Sequence, residues 1–557
     1  NVMAGVNGEN MTYDYFYAQR PELYSLDQPE LNLTYGAKNK WEINASTNDR
    51  ASAGYFGRIN YDYKGIYLLE LNGRYDGSSR FPAGDKWAFF PSGSIGYRFS
   101  QEAYWDKLRE TVSNGKLRFS YGEIGNENVG SSWPYIATIG TISASYVGWL
   151  NGSNTKVNEF DLPEWVSSSL TWERIKTIDI GLDLGLLNDM VTVGFDWYQR
   201  TTNDMIAPGK ALPPSVGAST PTTNSGSLRT RGWELTINWR KQFTNDLGLY
   251  ANFSIGDSKS VVTKWDNDQN IGHPLSTAYA YAGQVWGDIW GFETDRYFTE
   301  ADFTGKNADG SWIYAPGVAD QTGIQTQTFV YGPGDIKFKD LDGSGVIDGG
   351  KGTVDDHGDL KVIGNCLPRY EYSFHIGGTY KGFDLDLFFL GVGKRDMWTQ
   401  SSFVFPEMRE ADLAIYANQT SYNIYEPEKG IVNISESNAF PCLYPGNEYA
   451  GNVTGLAGEG GCHNYYPQTK YLVDMSYLRL KNVTLGYTLP VELTKKAFVQ
   501  KLRFYVSCNN LFLLHKGSGD LPIDPEMNAG QGALGYGTWG RTYPTTKSWS
   551  FGLQVTF

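Results

Sequence analysis

The sequence predicts an all-β protein, a transmembrane antiparallel β-barrel with short turns at one rim and long loops at the other. Apolar and polar residues alternate with the period of a strand, and the lengths of the connections are sorted into short and long. No stretch approaches the roughly 18 uninterrupted apolar residues of a membrane helix. The 557 residues exceed one typical domain, but a single large barrel can use this length. The 17 Trp, 38 Tyr and 65 Gly favour strands and turns over helices.

The alternation is clear near the start and at the end of the chain. The odd positions of 55–63 hold Tyr, Gly, Ile, Tyr and Tyr, whereas the even positions hold Phe, Arg, Asn and Asp. The odd positions of 549–557 hold Trp, Phe, Leu, Val and Phe against a polar or small even set. Side chains alternate faces along a strand, so each strand has one apolar and one polar face. Between Tyr477 and Leu489 the apolar parity changes, which predicts a bulge.

Fourteen strand patterns follow one another along the chain. They lie near 1–19, 53–63, 66–76, 87–99, 115–124, 175–186, 190–202, 231–241, 247–262, 370–380, 383–394, 475–489, 500–513 and 546–557. Tight turns at 64–65, 188–189, 243–246 and 381–382 alternate with long spans near 125–174, 203–230, 263–369, 396–474 and 514–545, and the links at 100–114 and 490–499 are modestly longer turns. Outer-membrane barrels sort their connections in this way, with turns in the periplasm and loops outside.

Charge and motif content exclude several functions. The net charge of −14 argues against a nucleic-acid partner, because phosphate contact requires a basic face. The five His are scattered, and no HExxH, GxSxG, P-loop or dinucleotide motif is present. The Asp355-Asp356 pair could in principle form a glycosidase dyad, but adjacent acidic residues in a long loop are usually solvated. We therefore predict a protein that is not an enzyme and has no catalytic residues.

The four Cys are too few for a disulfide framework. Cys442 and Cys462 lie in one loop-like region, so a bridge between them and two unpaired thiols are both open alternatives. The first residues, NVMAGVNGENMTYDYFYAQR, contain neither the basic nor the apolar region of a signal peptide. For an exported protein, this suggests a processed or partial chain.

Several segments resemble the SusC-type TonB-dependent transporters of Bacteroidota outer membranes. They are GRINYDYKGIYLLELNGRYDGSSRFPAGDKWAFFPSGSIGYRFS (57–100), LRFSYGEIGN (117–126), GDIKFKDLDGSGVID (334–348), YLRLKNVTLGYTLP (477–490), LRFYVSCNNLFLL (502–514) and YPTTKSWSFGLQVTF (543–557). The resemblance implies that residues 1–557 are a partial barrel domain, the C-terminal part of a 22-stranded barrel. The plug, the TonB box and the earlier strands of that family have no counterpart here. We expect further residues of the same protein, or a second chain, to supply the missing strands, because lipid does not tolerate open sheet edges.

The resemblance also implies a function in the cell outer membrane. It implies active import of oligosaccharides or other glycan fragments, with a SusD-like surface lipoprotein as a lid and TonB supplying energy through the missing N-terminal part. A dimer of transporter–lipoprotein pairs is one arrangement that the resemblance allows, and no cofactor is required. Members of this family also import peptides. A passive porin and a surface glycan-binding barrel remain alternatives of a different kind.

The long loops carry the candidate binding residues. Indole faces stack on sugar rings, and aromatic residues also pack loops and contact partner proteins. The candidate cargo contacts are Trp133, Trp149, Trp286, Trp290, Trp398 and Trp539.

Residues 340–348 resemble the first nine positions of a calcium loop, whose hard oxygen ligands alternate along the chain. The candidate ligands of a structural Ca²⁺ or Mg²⁺ are Asp340, Asp342, Ser344, the Val346 carbonyl and Asp348. The twelfth position is Lys351, so an EF-hand is not expected, and Asp355 or Asp356 could replace that ligand where the chain folds back. A solvated Asp-Gly turn is the alternative.

Overall fold

The computed structural model describes most of the chain. The described residues are 1–130, 133–142, 159–210, 212–217, 220–266, 271, 280–308, 310–325, 329–398, 417–443, 463–526 and 545–557. Within these ranges the first strands are β1 (Val2–Gln19), β2 (Glu42–Tyr63), β3 (Tyr67–Ser78), β4 (Trp87–Tyr97), β5 (Val112–Asn126), β6 (Ile139–Ile142), β7 (Glu159–Pro163), β8 (Glu173–Leu186), β9 (Val191–Pro208), β10 (Thr222–Gln242), β11 (Leu247–Lys264), β12 (Asp288–Phe292) and β13 (Thr294–Tyr297). They are followed by β14 (Phe303–Lys306), β15 (Trp312–Tyr314), β16 (Ile336–Phe338), β17 (Leu360–Asn365), β18 (Arg369–Tyr380), β19 (Phe383–Lys394), β20 (Asp396–Met397), β21 (Ile424–Glu426), β22 (Ile431–Asn433), β23 (Val473–Asp474), β24 (Tyr477–Thr488), β25 (Lys501–Lys516) and β26 (Ser548–Thr556).

Helices are a minor part of the described structure. One α-helix, α1 (Val491–Thr494), lies between two long strands. The short 3₁₀ segments are Lys38–Lys40, Phe99–Gln101, Ala103–Leu108, Pro214–Val216, Glu300–Asp302, Thr322–Ile324, Ala417–Gln419, Pro427–Lys429, His463–Tyr465 and Lys495–Ala497. Among the described residues, no helix has the length and apolar character needed to cross a membrane.

Fourteen long strands form one sheet and confirm the predicted strand count. Their order is β1-β2-β3-β4-β5-β8-β9-β10-β11-β18-β19-β24-β25-β26. Each strand therefore neighbours those that come before and after it among the long strands, as in an up-and-down meander. The other strands form two-stranded sheets within the connections: β6-β7, β12-β17, β13-β16, β14-β15, β20-β23 and β21-β22.

The tight turns have the backbone that their sequence predicts. Lys64 and Gly65 both have positive φ, of 58° and 65°, and Lys381 and Gly382 have φ of 48° and 87°. Two-residue hairpins favour turns with positive φ at the central residues, because their twist matches that of the flanking strands. Glycine occupies the second position in both turns, where it takes this conformation without steric cost.

Two strands begin earlier than predicted. β2 starts at Glu42 rather than near 53, and its pairing with β3 begins only at Ser52 opposite Ser78. The first ten residues of β2 pair with β1 alone, from Gln19↔Glu42 onward. β10 likewise starts at Thr222 rather than near 231. In both segments the sequence is mostly polar, so it lacks the apolar alternation by which the strands were recognised.

The apolar faces point away from the protein. Trp549, Phe551, Leu553 and Val555 share one face of β26, and the first two are 60% and 83% exposed. Tyr55, Ile59, Tyr61 and Tyr63 on one face of β2 are similarly exposed. Exposed aromatic and aliphatic side chains at alternate positions are the pattern of a lipid-facing wall. The predicted bulge is confirmed by shifts of register between β24 and β25 on either side of Leu480.

The chain divides into two compact units. The first contains residues 1–97, 119–178 and 200–227, and the second contains 98–118, 179–199 and 228–557. In the first unit a small core forms around Phe81, Phe90 and Trp172. In the second unit a large core forms among the long connections.

Candidate functional site

The large core of the second unit is built by three of the predicted long loops. Phe292 and Phe338 come from the first of these loops and stack with ring centroids 4.8 Å apart. Tyr466 comes from the second loop, and its ring centroid lies 5.9 Å from that of Phe292. Ile523 comes from the third loop and is also buried in this core. The described parts of these three connections therefore fold together as one layer around this core, called the loop layer below.

Buried polar side chains fix the backbone of this layer. Asn464 accepts a hydrogen bond from the Ile336 amide at 2.8 Å and donates to Asp335 at 2.8 Å. Gln321 accepts from the Phe338 amide and donates to the Ile336 carbonyl. A buried polar group without a partner would cost about 1–3 kcal/mol. These amides therefore specify one arrangement of the loop strands in addition to stabilising it.

The tryptophans predicted to contact cargo occupy different environments. Trp133 is in the first unit. Its ring meets the Tyr135 ring edge to face, with the two ring centroids 6.3 Å apart. Trp286 and Trp290 are half-buried in the second unit. Trp290 donates from Nε1 to the Tyr281 hydroxyl and packs against His357. Trp398 is 2% exposed and belongs to the core, so it packs the loops and presents no face to a cargo.

Two of the predicted cargo contacts, Trp149 and Trp539, lie outside the described residues. The structure thus leaves Trp133, Trp286 and Trp290 with surface on which a sugar could stack, and their role in cargo binding stays a prediction. The predicted bridge between Cys442 and Cys462 also stays a prediction, because Cys462 lies outside the described residues. The Cys442 thiol is 3.6 Å from the Pro333 carbonyl oxygen.

The acidic loop of residues 340–348 forms a compact turn. Asp340 accepts hydrogen bonds from the amides of Gly343 and Gly345, at 2.7 and 2.9 Å. Asp342 accepts from the Ser344 amide at 2.8 Å. The Ser344 hydroxyl donates to the Val346 carbonyl.

A third carboxylate joins two of the predicted metal ligands. Asp340, Asp342 and the buried Asp359 each place an oxygen within 4.8 Å of the others. Asp348 is not part of this group, and its carboxylate accepts from the Gly350 amide instead. Asp355 and Asp356 are not part of it either, and Asp356 pairs with Lys351 at 2.8 Å. Asp359 was missed because it lies far along the chain and only the fold brings it back.

The metal site itself stays a prediction, now with Asp340, Asp342 and Asp359 as the carboxylate ligands. We expect Asp342→Asn to weaken Ca²⁺ binding about tenfold or more, because Ca²⁺ affinity depends on the number of charged oxygen ligands. Asp342 is exposed, so its replacement leaves the packing intact. Calorimetric titration with CaCl₂ measures the effect. Asp356→Asn, which removes a carboxylate outside the group, is the matched control, and equal affinities of the two variants would contradict the prediction.

An ion pair with a buried carboxylate lies at the start of β14. Arg296 binds Asp302 with two hydrogen bonds, of 2.7 and 2.6 Å, and Thr299 donates to the same carboxylate from its amide and hydroxyl. Burial by itself raises the pKa of Asp302, but the contacts of Arg296 and Thr299 outweigh it and lower this pKa to about 2. The folded loop therefore favours the ionised carboxylate.

This pair makes the stability of the loop layer depend on pH in the acidic range. Because the pKa of Asp302 is lower in the folded state, the ionised carboxylate stabilises the folded loop above about pH 4, and this stabilisation is lost as the pH falls through 2. We expect the free energy of unfolding of the loop to fall by at most on the order of 2 kcal/mol over this range. Hydrogen exchange of residues 296–306 between pH 2 and 6 measures it. Asp302→Asn should be less stable at pH 6 and should lack this pH dependence, and an unchanged pH profile in that variant would refute the assignment.

Two other carboxylates, the buried Asp288 and the half-buried Asp396, meet at one asparagine. The Asn365 side chain donates to Asp288 at 2.9 Å, and its backbone amide donates to Asp396 at 3.0 Å. Burial raises the pKa of both carboxyl groups. These contacts join β12, β17 and β20 where the loop layer meets the long strands.

Ion pairs cover the polar face of the sheet. Arg118 binds Asp183 and Asp196 at 2.8 Å each, and Arg503 binds Asp384 at 2.5 Å. In the first unit, Arg58 donates to Asn72 at 2.6 Å and lies 3.8 Å from Glu70. Both units therefore carry ion pairs on this face. A charged, hydrated face opposite an apolar face suits a water-filled interior.

Comparisons with known proteins agree with this architecture. Residues 3–346 match the family described as "TonB dependent receptor-like, beta-barrel". The chain is 28% identical over 529 residues to TonB-dependent receptor P3 of Formosa agariphila, covering 92% of this chain and 46% of that protein. It is 26% identical over 506 residues to TonB-dependent receptor SusC of Bacteroides thetaiotaomicron, covering 90% of this chain and 43% of SusC.

The fold also matches a solved structure. The structure of the RagAB peptide transporter superposes with a TM-score of 0.70 at 19% identity, covering all of this chain and 53% of that one. The chain spans about half the length of the curated relatives it matches. The matched family and the alternating fourteen-stranded sheet lead to one conclusion: the chain belongs to the TonB-dependent receptor-like β-barrel family of outer-membrane proteins.

Proposed function

We propose that the protein imports oligosaccharides or other glycan fragments across the outer membrane, energised by TonB and covered by a SusD-like lipoprotein. The ordered loop layer carries this proposal. A passive channel has no need for a core of more than twenty buried side chains outside its wall, whereas a lid needs a firm surface on which to close. The likeness to SusC supports the same mechanism. No catalytic step is proposed.

The polar face of the sheet supports transport rather than surface adhesion. Its ion pairs, such as Arg118 with Asp183 and Asp196, lie on the face opposite the exposed aromatic residues. A charged interior of this kind binds water and polar cargo. An importer must also release its cargo, and sugars held by stacking and hydrogen bonds dissociate readily.

Uptake in cells tests the proposal. We expect cells producing the complete transporter to accumulate a fluorescent oligosaccharide, and to lose accumulation when TonB is deleted or a protonophore is added. The lipoprotein should co-purify with the transporter in detergent. Uptake that persists without TonB would indicate a passive porin. Binding without uptake would indicate a surface glycan receptor, and uptake of peptides but not sugars would indicate a peptide importer.

A further inference from the structure

The connection between β24 and β25, residues 489–500, presents an apolar surface and is called the β24–β25 turn below. It contains α1 and the 3₁₀ segment Lys495–Ala497. Val491 and Leu493 are exposed on α1, and Phe498, which follows the 3₁₀ segment, is 90% exposed. Large apolar side chains that stand together in contact with solvent mark a surface that meets a partner.

The backbone holds Phe498 in an unfavourable conformation. Its φ is 59° and its ψ is 25°, in the left-handed region. The Phe498 amide donates to the Lys495 carbonyl at 3.1 Å, and the Val499 amide donates to the Thr494 carbonyl at 3.2 Å. Phe498 therefore stands at the position after a helical segment where glycine is usual, because a Cβ disfavours this conformation. With most of the ring exposed, packing within the protein does little to offset the strain.

The β24–β25 turn continues the lipid-facing wall. The Leu489 amide donates to the Leu502 carbonyl at 2.9 Å, and Leu502 pairs with Val555 on the exposed apolar face of β26. The Thr488 amide donates to the Gly382 carbonyl at 2.7 Å. The turn therefore lies on the rim of the tight turns, which faces the periplasm in barrels of this kind.

Lysines flank the apolar side chains of the turn. Lys495, Lys496 and the first residue of β25, Lys501, are all exposed, and Glu492 is the one acidic residue between positions 489 and 501. None of the three lysines forms an ion pair with a residue that the structure describes. Segments that lie on a membrane surface combine apolar side chains, which enter the acyl-chain boundary, with lysines, which meet phosphates.

The other longer turn on this rim has the same character. It joins β4 to β5 and contains the 3₁₀ segment Ala103–Leu108, on which Tyr104 and Leu108 are exposed beside Lys107. The Leu187 amide donates to the Thr111 carbonyl at 2.9 Å, which joins this connection to the tight turn after β8. Exposed apolar side chains beside lysine thus occur in both connections of this rim that are long enough to carry them.

We propose that the β24–β25 turn is an interfacial anchor that binds the phospholipid leaflet at the periplasmic rim. Phe498, Val491 and Leu493 contact the boundary between headgroups and acyl chains. The lysines bind the lipid phosphates. The partner is therefore a phospholipid surface, and the contact fixes the height of the last strands in the membrane whatever the cargo of the protein.

Photochemical labelling of the complete transporter in lipid nanodiscs tests the proposal. The probe is a phospholipid with a diazirine at the headgroup end of one acyl chain, and peptide mass spectrometry measures labelling of residues 489–501. We expect Phe498→Gly to reduce this labelling about fivefold or more, and Phe498→Trp to retain it. Leu26→Gly, at an exposed apolar residue in the connection of β1 and β2, should leave it unchanged. Absence of labelling in the unsubstituted protein, or equal labelling of Phe498→Gly, would overturn the proposal.

A folding control separates loss of the anchor from loss of structure. Because glycine adopts the left-handed conformation without steric cost, β24 and β25 should keep their hydrogen-exchange protection in Phe498→Gly. Lost protection would mean that Phe498 packs against protein, and the proposal would fail.

The charge of the lipid tests the role of the lysines. We expect labelling of residues 489–501 to be about threefold or more stronger in phosphatidylglycerol than in phosphatidylcholine nanodiscs, because the anionic surface attracts lysines. Lys495→Gln with Lys496→Gln should remove this preference, whereas Lys38→Gln with Lys40→Gln, in the connection of β1 and β2, should retain it. A preference that survives the first pair of substitutions would contradict the assignment of phosphate as the partner of these lysines.

Discussion

Arg479→Met is expected to lower the free energy that holds the last long loop in place by about 3–5 kcal/mol. Arg479 is 5% exposed and binds two residues of that loop: its Nη2 is 2.5 Å from Asp524, and its Nε is 3.1 Å from Glu526. Removing the guanidinium leaves two partly buried carboxylates, with Lys481 paired to Glu526 and Lys516 near Asp524. Removing one partner of a buried ion pair typically costs this much. Hydrogen exchange of residues 517–526 in detergent measures the change.

An exposed pair provides the control for this variant. Arg109 binds Asp106 at 2.9 Å, with both side chains largely exposed. Exposed pairs contribute about 0–1 kcal/mol, so Arg109→Met should change exchange little. Equal effects of the two substitutions would mean that the Arg479 network does not hold the loop. A loss of protection throughout β24 would instead show damage to the wall, and the prediction requires that β24 keep its protection.

Phe292→Ala is expected to destabilise the loop layer by about 3–5 kcal/mol. Phe292 is fully buried, and its ring contacts the rings of Phe338 and Tyr466. Truncating a buried phenylalanine removes its transfer free energy and leaves a cavity. Limited proteolysis should cut residues 288–365 at much lower protease concentration in this variant, while the long strands remain resistant.

Ile431→Ala is the matched truncation at the surface of the same layer. Ile431 is 46% exposed on the short hairpin of β21 and β22, so its loss should change stability by about 0.5 kcal/mol or less. If Phe292→Ala were no more sensitive to protease than Ile431→Ala, the loops would not share a cooperative core. On the proposed mechanism, Phe292→Ala should also weaken capture of the lid lipoprotein.

The wall of the barrel could be predicted from the sequence because its signal is local. Every long strand of the described sheet corresponds to a predicted pattern, since side chains at alternate positions meet lipid or water whatever lies elsewhere. The exceptions are the beginnings of β2 and β10, where both faces are polar and no alternation exists. The bulge near Leu480 was visible as a change of parity in the apolar residues.

The sites in the loops could be predicted only in part, because they depend on contacts between distant segments. Asp340 and Asp342 were recognisable from their spacing, but Asp359 joins them through the fold. Trp398 is of a residue type that often binds sugars, but in the fold it packs into the core of the loops. Arg479 meets Asp524 across 45 residues, a separation at which the sequence offers no periodic signal.

The shared core of the three long loops constrains how receptors of this family can be re-engineered. Phe292, Tyr466 and Ile523 come from separate connections and yet pack into one interior. Grafting a single loop from a related receptor would expose complementary surfaces that no longer match, and the chimera would lose its ordered exterior. A chimera designed to take on the cargo preference of a relative should therefore keep its folded loops only when all three loops are exchanged together.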